Sequence, residues 1–193
     1  MKQDRSRRSH DRILAAAAVE FYRYGFAAAV LEQIVEQAGL TKGALYGHFA
    51  SKRQLADVLI DYVDEVAAAL VAQAPPGQPV STALGRLFGA FGERIAVDVR
   101  FRAGLRLCLE EARAADSEPM VVATVRQGVR AVCEVAGPEG QPRWAADTEA
   151  VADLALALLF GFCGPGLGST VEDLPDRLLR IQGVLLLLAE AAT

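Results

Sequence analysis

In one stretch after another of this chain the apolar residues return every three to four positions, and glycine or proline closes most of the stretches. That period puts them on one side of an α-helix and does not fit the two-residue alternation of a half-buried strand, so the chain is predicted to be all-α. Ile13, Ala17 and Phe21, with Leu14 and Ala18 beside them, define a first helix from about Ser9 to Tyr24, for which Gly25 offers a left-handed stop. Leu31, Ile34, Val35 and Ala38 form a second, ended by Gly39. Thr41 is a good N-cap for a short third helix through Phe49, and Ser51 caps a long fourth, about 52–72, through Leu55, Leu59, Tyr62, Val66 and Leu70. The run Ala74-Pro-Pro-Gly-Gln-Pro79 breaks that helix. Five more follow: one through Leu84, Leu87, Phe88, Phe91 and Ile95, then Phe101 to Leu109, Met120 to Val132, about Trp144 to Cys163, and a ninth from near Pro175 to about Ala191. No strand-period segment or internal repeat stands out.

The apolar share of 52% is too high for a disordered chain. The formal net charge of -4 hides an asymmetry: residues 1–53 hold nine Lys/Arg against five Asp/Glu, and the remainder holds eleven against nineteen. A basic end and an acidic remainder are predicted to face different partners. Cys108, Cys133 and Cys163 show no C-x-x-C spacing and fit reduced thiols of a cytoplasmic protein; with His10 and His48 the only histidines, neither a metal nor a cofactor is expected. The N-terminus lacks the apolar core of a signal peptide. Leu154 to Val171 is uncharged, but Gly161, Gly164, Pro165, Gly166 and Gly168 interrupt it, leaving about ten continuous apolar residues, too few to cross a bilayer. The same glycines follow a helical pattern, not a strand, and lack the Lys-Ser/Thr of a phosphate loop.

Residues 30–49 read as helix, tight glycine-containing turn, helix, the layout in which the second helix enters the DNA major groove. Thr41 offers a hydroxyl toward phosphate, Lys42 a cation within reach of a base or phosphate, and Gly43 a close approach of backbone. Tyr46 follows one turn later, His48 can donate to a phosphate, and Lys52 adds a cation. Arg5, Arg7, Arg8 and Arg12 are candidates for the flanking backbone or minor groove. Taken singly, each of these basic residues also fits a plain solvated face.

The stretch Ala38-Gly-Leu-Thr-Lys-Gly-Ala-Leu-Tyr-Gly-His-Phe-Ala-Ser-Lys52, preceded by Ile13-Leu-Ala-Ala-Ala and Phe21-Tyr-Arg-Tyr-Gly25, closely resembles the DNA-binding domain of the TetR family of transcriptional repressors over about residues 9–60. The resemblance implies a dimeric regulator of nine or ten helices. Residues 1–53 would be the three-helix DNA-binding domain, helix 4 the connection, and 54–193 a helical ligand-binding and dimerisation domain. It also implies that Thr41, Lys42, Gly43, Tyr46, His48 and Lys52 occupy positions that touch DNA. Thr-Lys-Gly-Ala-Leu-Tyr and Phe101-Arg-Ala-Gly-Leu-Arg-Leu107 are similar to the γ-butyrolactone-receptor group within that family. Two features depart from that group: Gly47 stands where its members carry Phe, and the only tryptophan, Trp144, lies near the start of the eighth helix instead of the seventh-helix region. Val30 stands where a Thr often caps the second helix.

In the C-terminal part, Val151, Leu154, Leu158 and Phe162 make one apolar stripe, and Leu174, Leu178, Ile181, Leu185 and Leu188 make another. Together they point to a four-helix interface between two copies. Phe88, Phe91, Leu105, Cys108, Leu109, Val125, Trp144, Phe160 and Phe162 are candidates for lining a mostly apolar pocket, the usual form of a site for a small lipophilic effector. The leading expectation is a homodimeric repressor on a palindromic operator, with recognition helices roughly 34 to 36 Å apart. A helical enzyme or ligand carrier without a DNA role is the rival, although no G-x-S-x-G, nucleophile–base pair or metal spacing supports it. A helical adaptor for a protein partner is the third reading.

Overall fold

The computed structural model describes residues 2–73, 80–135 and 148–161, together with Arg180. Among the described residues there are eight α-helices and no strand: α1 (Lys2–Ala28), α2 (Leu31–Ala38), α3 (Lys42–Tyr46), α4 (Lys52–Ala72), α5 (Val80–Val97), α6 (Val99–Ala115), α7 (Met120–Val135) and α8 (Thr148–Gly161). Of the expected ninth helix only Arg180, itself helical, is among the described residues. The chain forms two compact units, one of residues 1–63 with 98–117 and one of 64–97 with 118–193. The DNA-binding segment expected over 1–53 lies within the first unit, which also takes in the start of α4 and all of α6.

The first unit is built around Ile13, Ala17, Phe21, Ile34, Leu45, Phe49, Leu55 and Leu59, all but withdrawn from water. Ala103 and Leu107 of α6 share this core, so a helix distant in sequence completes it. Truncating a buried ring such as Phe21 removes apolar contact and leaves a cavity, at about 3 to 5 kcal/mol.

α1 runs well beyond the predicted 9–24. Its basic N-terminal residues are helical, so Arg5, Arg7 and Arg8 stand on a rigid rod and not on an extended arm. Gly25 has the positive φ expected of it, but at φ 73° and ψ 179° it is in extended backbone open to glycine, not in the left-handed helical region, and one further turn reaches Ala28. α6 holds this kink. Phe26 N–H donates to Glu110 Oε2 at 2.9 Å, Arg106 donates from its Nη1 to the Tyr22 carbonyl at 2.7 Å, and Arg106 and Glu110 are themselves paired. Glu110→Ala strands the Phe26 amide and is expected to lower stability by about 1.5 kcal/mol, the low end for a hydrogen bond to a charged group. Urea denaturation measures it; an unchanged midpoint would show that the kink holds itself.

α6 also exceeds its predicted span of 101–109. Its start is set by Asp98, whose Oδ1 accepts from the amides of Arg100 (2.9 Å) and Phe101 (3.2 Å), while Oδ2 accepts from the Tyr62 hydroxyl at 2.6 Å. The apolar pattern begins only at Phe101, so periodicity alone misses the cap.

In the second unit Phe88, Phe91, Ile95, Val121, Val125, Val129, Cys133, Ala155 and Leu159 are buried. Arg126 pairs with Glu118 and Asp153, and Arg130 with Glu149, which ties α7 to α8 on their polar sides. Burial pushes the Cys133 thiol above the ordinary range, so it stays protonated and unreactive at neutral pH. No helix among the described residues is long and apolar enough to cross a membrane.

Candidate nucleic-acid interface

The helix-turn-helix owes its shape to caps that the local sequence supplies. α2 closes on Gly39 at φ 58° and ψ 42°, the left-handed conformation that costs glycine nothing. Gly39 N–H then donates to Glu36 O at 2.9 Å and Leu40 N–H to Val35 O at 3.1 Å, a Schellman pair, and Leu40 and Val35 are both half-buried against the core. Arg12 adds a cation at this helix end, with Nη2 3.4 Å from the Gly39 carbonyl. Thr41 opens α3 by accepting from Ala44 N–H on its Oγ1 at 3.2 Å. α3 ends at Tyr46, three residues before the predicted Phe49, with Gly47 as its C-cap, and Phe49 is buried with Leu45 as expected.

Only Leu45 of α3 is buried. Thr41, Lys42, Gly43 and Tyr46 are exposed, Tyr46 at 50%, so a short helix anchored by one leucine offers the rest of its surface outward. A methyl group added at Gly43 would meet nothing nearer than Thr41 Oγ1 at 3.9 Å. The fold does not need a glycine there.

The other predicted residues are placed less simply. Lys52 is half-buried: its ammonium donates to Ala27 O (3.3 Å) and Ala29 O (3.0 Å) and sits 4.9 Å from the Phe26 ring centroid. It therefore closes the last turn of α1, with one ammonium proton left over. Beside it Ser51 Oγ accepts from Gln54 N–H at 3.1 Å, and Gln54 Oε1 accepts from Ala50 N–H at 2.6 Å, a reciprocal cap at the start of α4. His48 lies partly covered against α1, its ring centroid 6.0 Å from that of His10, which in turn stacks on Phe49 at 4.9 Å. Arg8 pairs with Asp4 one turn earlier at 3.2 Å, and both are exposed. An open groove of about 680 Å³ is lined by Arg7, Arg8, His10, His48, Ser6, Asp4 and Asp11.

Two acids escape the sequence reading. Glu20, only 2% exposed, accepts from Val30 N–H on Oε1 at 3.1 Å and so fixes the approach to α2, whose N-cap Val30 has no side-chain oxygen of its own. Glu32, in the first turn of α2, accepts from Lys42 Nζ on Oε1 at 2.6 Å. This pairing holds the Lys42 ammonium above its ordinary pKa and the Glu32 carboxyl below its own.

The expected pocket residues are divided between the units. Leu105 and Cys108 are buried and Leu109 half-buried in the first; Phe88, Phe91 and Val125 are buried and Phe160 half-buried in the second. Trp144 and Phe162 lie outside the described residues. Of the expected dimer stripe, Val151 is buried while Leu154 is 46% exposed; the side chain of Leu158 and all of Leu174, Leu178, Ile181, Leu185 and Leu188 lie outside the described residues.

With helices alone among the described residues, this turn and this outward α3, the N-terminal part is a helix-turn-helix. Residues 13–59 match the family described as "Bacterial regulatory proteins, tetR family". The chain is 43% identical to the A-factor receptor protein of Streptomyces griseus over 60 residues, 31% of this chain and 22% of that protein. Much more is shared in three dimensions: a γ-butyrolactone receptor (ArpA-like protein) superposes with a TM-score of 0.75 at 26% identity, covering 94% of this chain and 87% of the other. CprB from Streptomyces coelicolor, solved in complex with its biological operator sequence, gives 0.72 at 27% identity over 94% and 88%. Residues 13–59 thus carry the sequence of the tetR family of bacterial regulatory proteins, and the fold around them is that of the γ-butyrolactone receptor.

Proposed function

We propose that the chain is a ligand-responsive repressor that binds a palindromic DNA operator as a homodimer and is released by a small lipophilic effector. The observation that carries this reading is α3 itself: Leu45 faces inward while Thr41, Lys42, Gly43 and Tyr46 face solvent. In the major groove Lys42 reads a base edge, the Gly43 backbone comes close to the sugar-phosphate chain, and Tyr46 packs its ring on it. The Thr41 oxygen accepts from Ala44, which leaves its hydroxyl proton free to donate to phosphate. Lys52 and His48 flank the helix, and Arg8, with Arg5 and Arg7, exchanges its contact on the exposed start of α1 for phosphate. Leu154 contributes to the face between two copies, and Phe88, Phe91, Val125 and Phe160 to the effector site. The protein acts in the cytoplasm and catalyses no reaction.

The direct test is a gel shift with the full chain on fragments of its own upstream region at low salt, with light scattering to read the oligomeric state. A retarded complex and a dimer are expected; a monomer that retards no fragment would overturn the reading. Gly43→Ala separates binding from folding. It should raise stability by about 0.5 to 1 kcal/mol, since glycine inside a helix is unfavourable. The same change should cut DNA affinity at least about tenfold, the effect of losing one close contact. Loss of both stability and binding would show instead that Gly43 serves the fold.

A further inference from the structure

The Glu32–Lys42 pair sits where a repressor of this kind should not want a carboxylate. Lys42 opens α3, Glu32 lies in the first turn of α2, the 2.6 Å contact bridges the two helices, and the two side chains are 59% and 61% exposed. So exposed a pair adds little to stability. An acid beside the recognition helix is repelled by every phosphate, which lowers affinity for DNA of any sequence. Its chemistry is favourable only where it finds a donor, and in the major groove the donors are the exocyclic amines of cytosine N4 and adenine N6. The lysine at its side selects between them. Guanine offers two neighbouring acceptors, N7 and O6, to one cation, and on a G·C pair the cytosine N4 donor lies directly next to O6. A cation and a carboxylate already in contact match that edge side by side. On an A·T pair the adenine N6 donor also has an acceptor on each side, N7 and thymine O4, but these two are not neighbours, so the lysine meets only one of them.

Building on the repressor reading, we propose that Glu32 and Lys42 act as one composite reader of a G·C base pair, Lys42 donating to guanine O6/N7 and Glu32 accepting from cytosine N4. Glu32 has two further roles. It holds the flexible lysine stem in one place before DNA arrives, so less ordering remains to be done on binding. It also keeps the ammonium from settling on the nearest phosphate, which a lysine, as a mobile point charge, would otherwise do.

The test is selection of duplexes from a random library by the full wild-type chain and by Glu32→Gln, an exposed and nearly isosteric change that leaves the helices intact. Wild type should enrich a motif with an invariant G·C pair at one position of each half-site. Glu32→Gln should keep the rest of the motif and lose preference at that position by about fivefold or more, the lower bound for one good base contact. On a scrambled duplex the variant's log-affinity against log-salt slope should steepen by about 0.9 for each Lys42 freed to take a phosphate. Preferences that agree between the two proteins within about twofold at every position, where a true contact would exceed that, would overturn the composite reader. So would a carboxylate-dependent A·T position. If wild type enriches no sequence at all, the repressor reading itself fails, and that outcome is distinct from either of these.

Discussion

Gly104→Ala is expected to destabilise the protein by about 3 kcal/mol, the upper end for overpacking a tight core. Gly104 sits in α6 against the backbone of α4. A β-carbon built there would run into the Leu59 carbonyl oxygen and lie 2.6 Å from Val63 Cγ2. A side chain can swing away from such an intrusion, but a carbonyl in the middle of a helix cannot move without breaking its own hydrogen bond, so α6 must lift. Lifting it exposes Ala103 and Leu107, which belong to the same core as Phe21, Ile34 and Leu45. For a chain of this size the loss corresponds to a fall in melting temperature of about 6 to 12 °C. Thermal unfolding followed by circular dichroism reads it directly. A fall of less than about 2 °C, far below the overpacking cost, would mean that the two helices do not approach this closely. The contrast with Gly43, where an added methyl meets only Thr41 Oγ1 at 3.9 Å, is between a glycine that the packing requires and one that it does not.

Local physics made the helix-turn-helix legible. A Schellman glycine at 39, a threonine cap at 41 and a serine cap at 51 act on amides within six residues, so the order of the sequence already contains their partners. The inward residues Leu45 and Phe49 follow from helical spacing in the same way. Partners set by tertiary packing were not legible. Glu110 reaches Phe26 across 84 positions, and Glu20 reaches Val30 past the kink at Gly25. Glu32 and Lys42 are ten positions apart on different helices, a separation that no helical or strand rule connects. Lys52 shows the other side of this limit. Its charge and position both suited an outward role, yet the end of α1, more than twenty positions earlier, leaves the Ala27 and Ala29 carbonyls in need of a donor, and the ammonium meets them. A cation next to a helix end has two uses, and the sequence does not rank them. Membership of α6 in the first unit was equally hidden, because apolar periodicity shows that a helix has a buried side without showing what covers it.

The second large effect is on salt. If α1 lies along the phosphates as proposed, affinity for duplex DNA should fall about 10³- to 10⁵-fold between 50 and 200 mM salt, as for proteins that neutralise some 6 to 10 phosphates. The whole chain is acidic, with a net charge of -4 and a pI near 5.3, so no general attraction to DNA exists to blur the measurement. Attraction has to come from the N-terminal segment, where the positive excess resides. Within that segment several cations already have uses in the free protein: Arg12 faces the Gly39 carbonyl, Lys52 closes α1, and Arg53 is paired with Asp57 and Glu111. Arg5, Arg7 and Arg8, on the exposed first turns of α1, are the group whose charges phosphate can recruit at least structural cost. Replacing all three by alanine removes six charges from the proposed dimer and should flatten the slope of log affinity against log salt by about 5. Such a change should leave the melting temperature nearly unaltered, because none of these side chains is buried. A variant that keeps the wild-type slope would place the phosphate contacts elsewhere, on Lys52, His48 and the N-terminus of α2, and would turn α1 from a contact into a support.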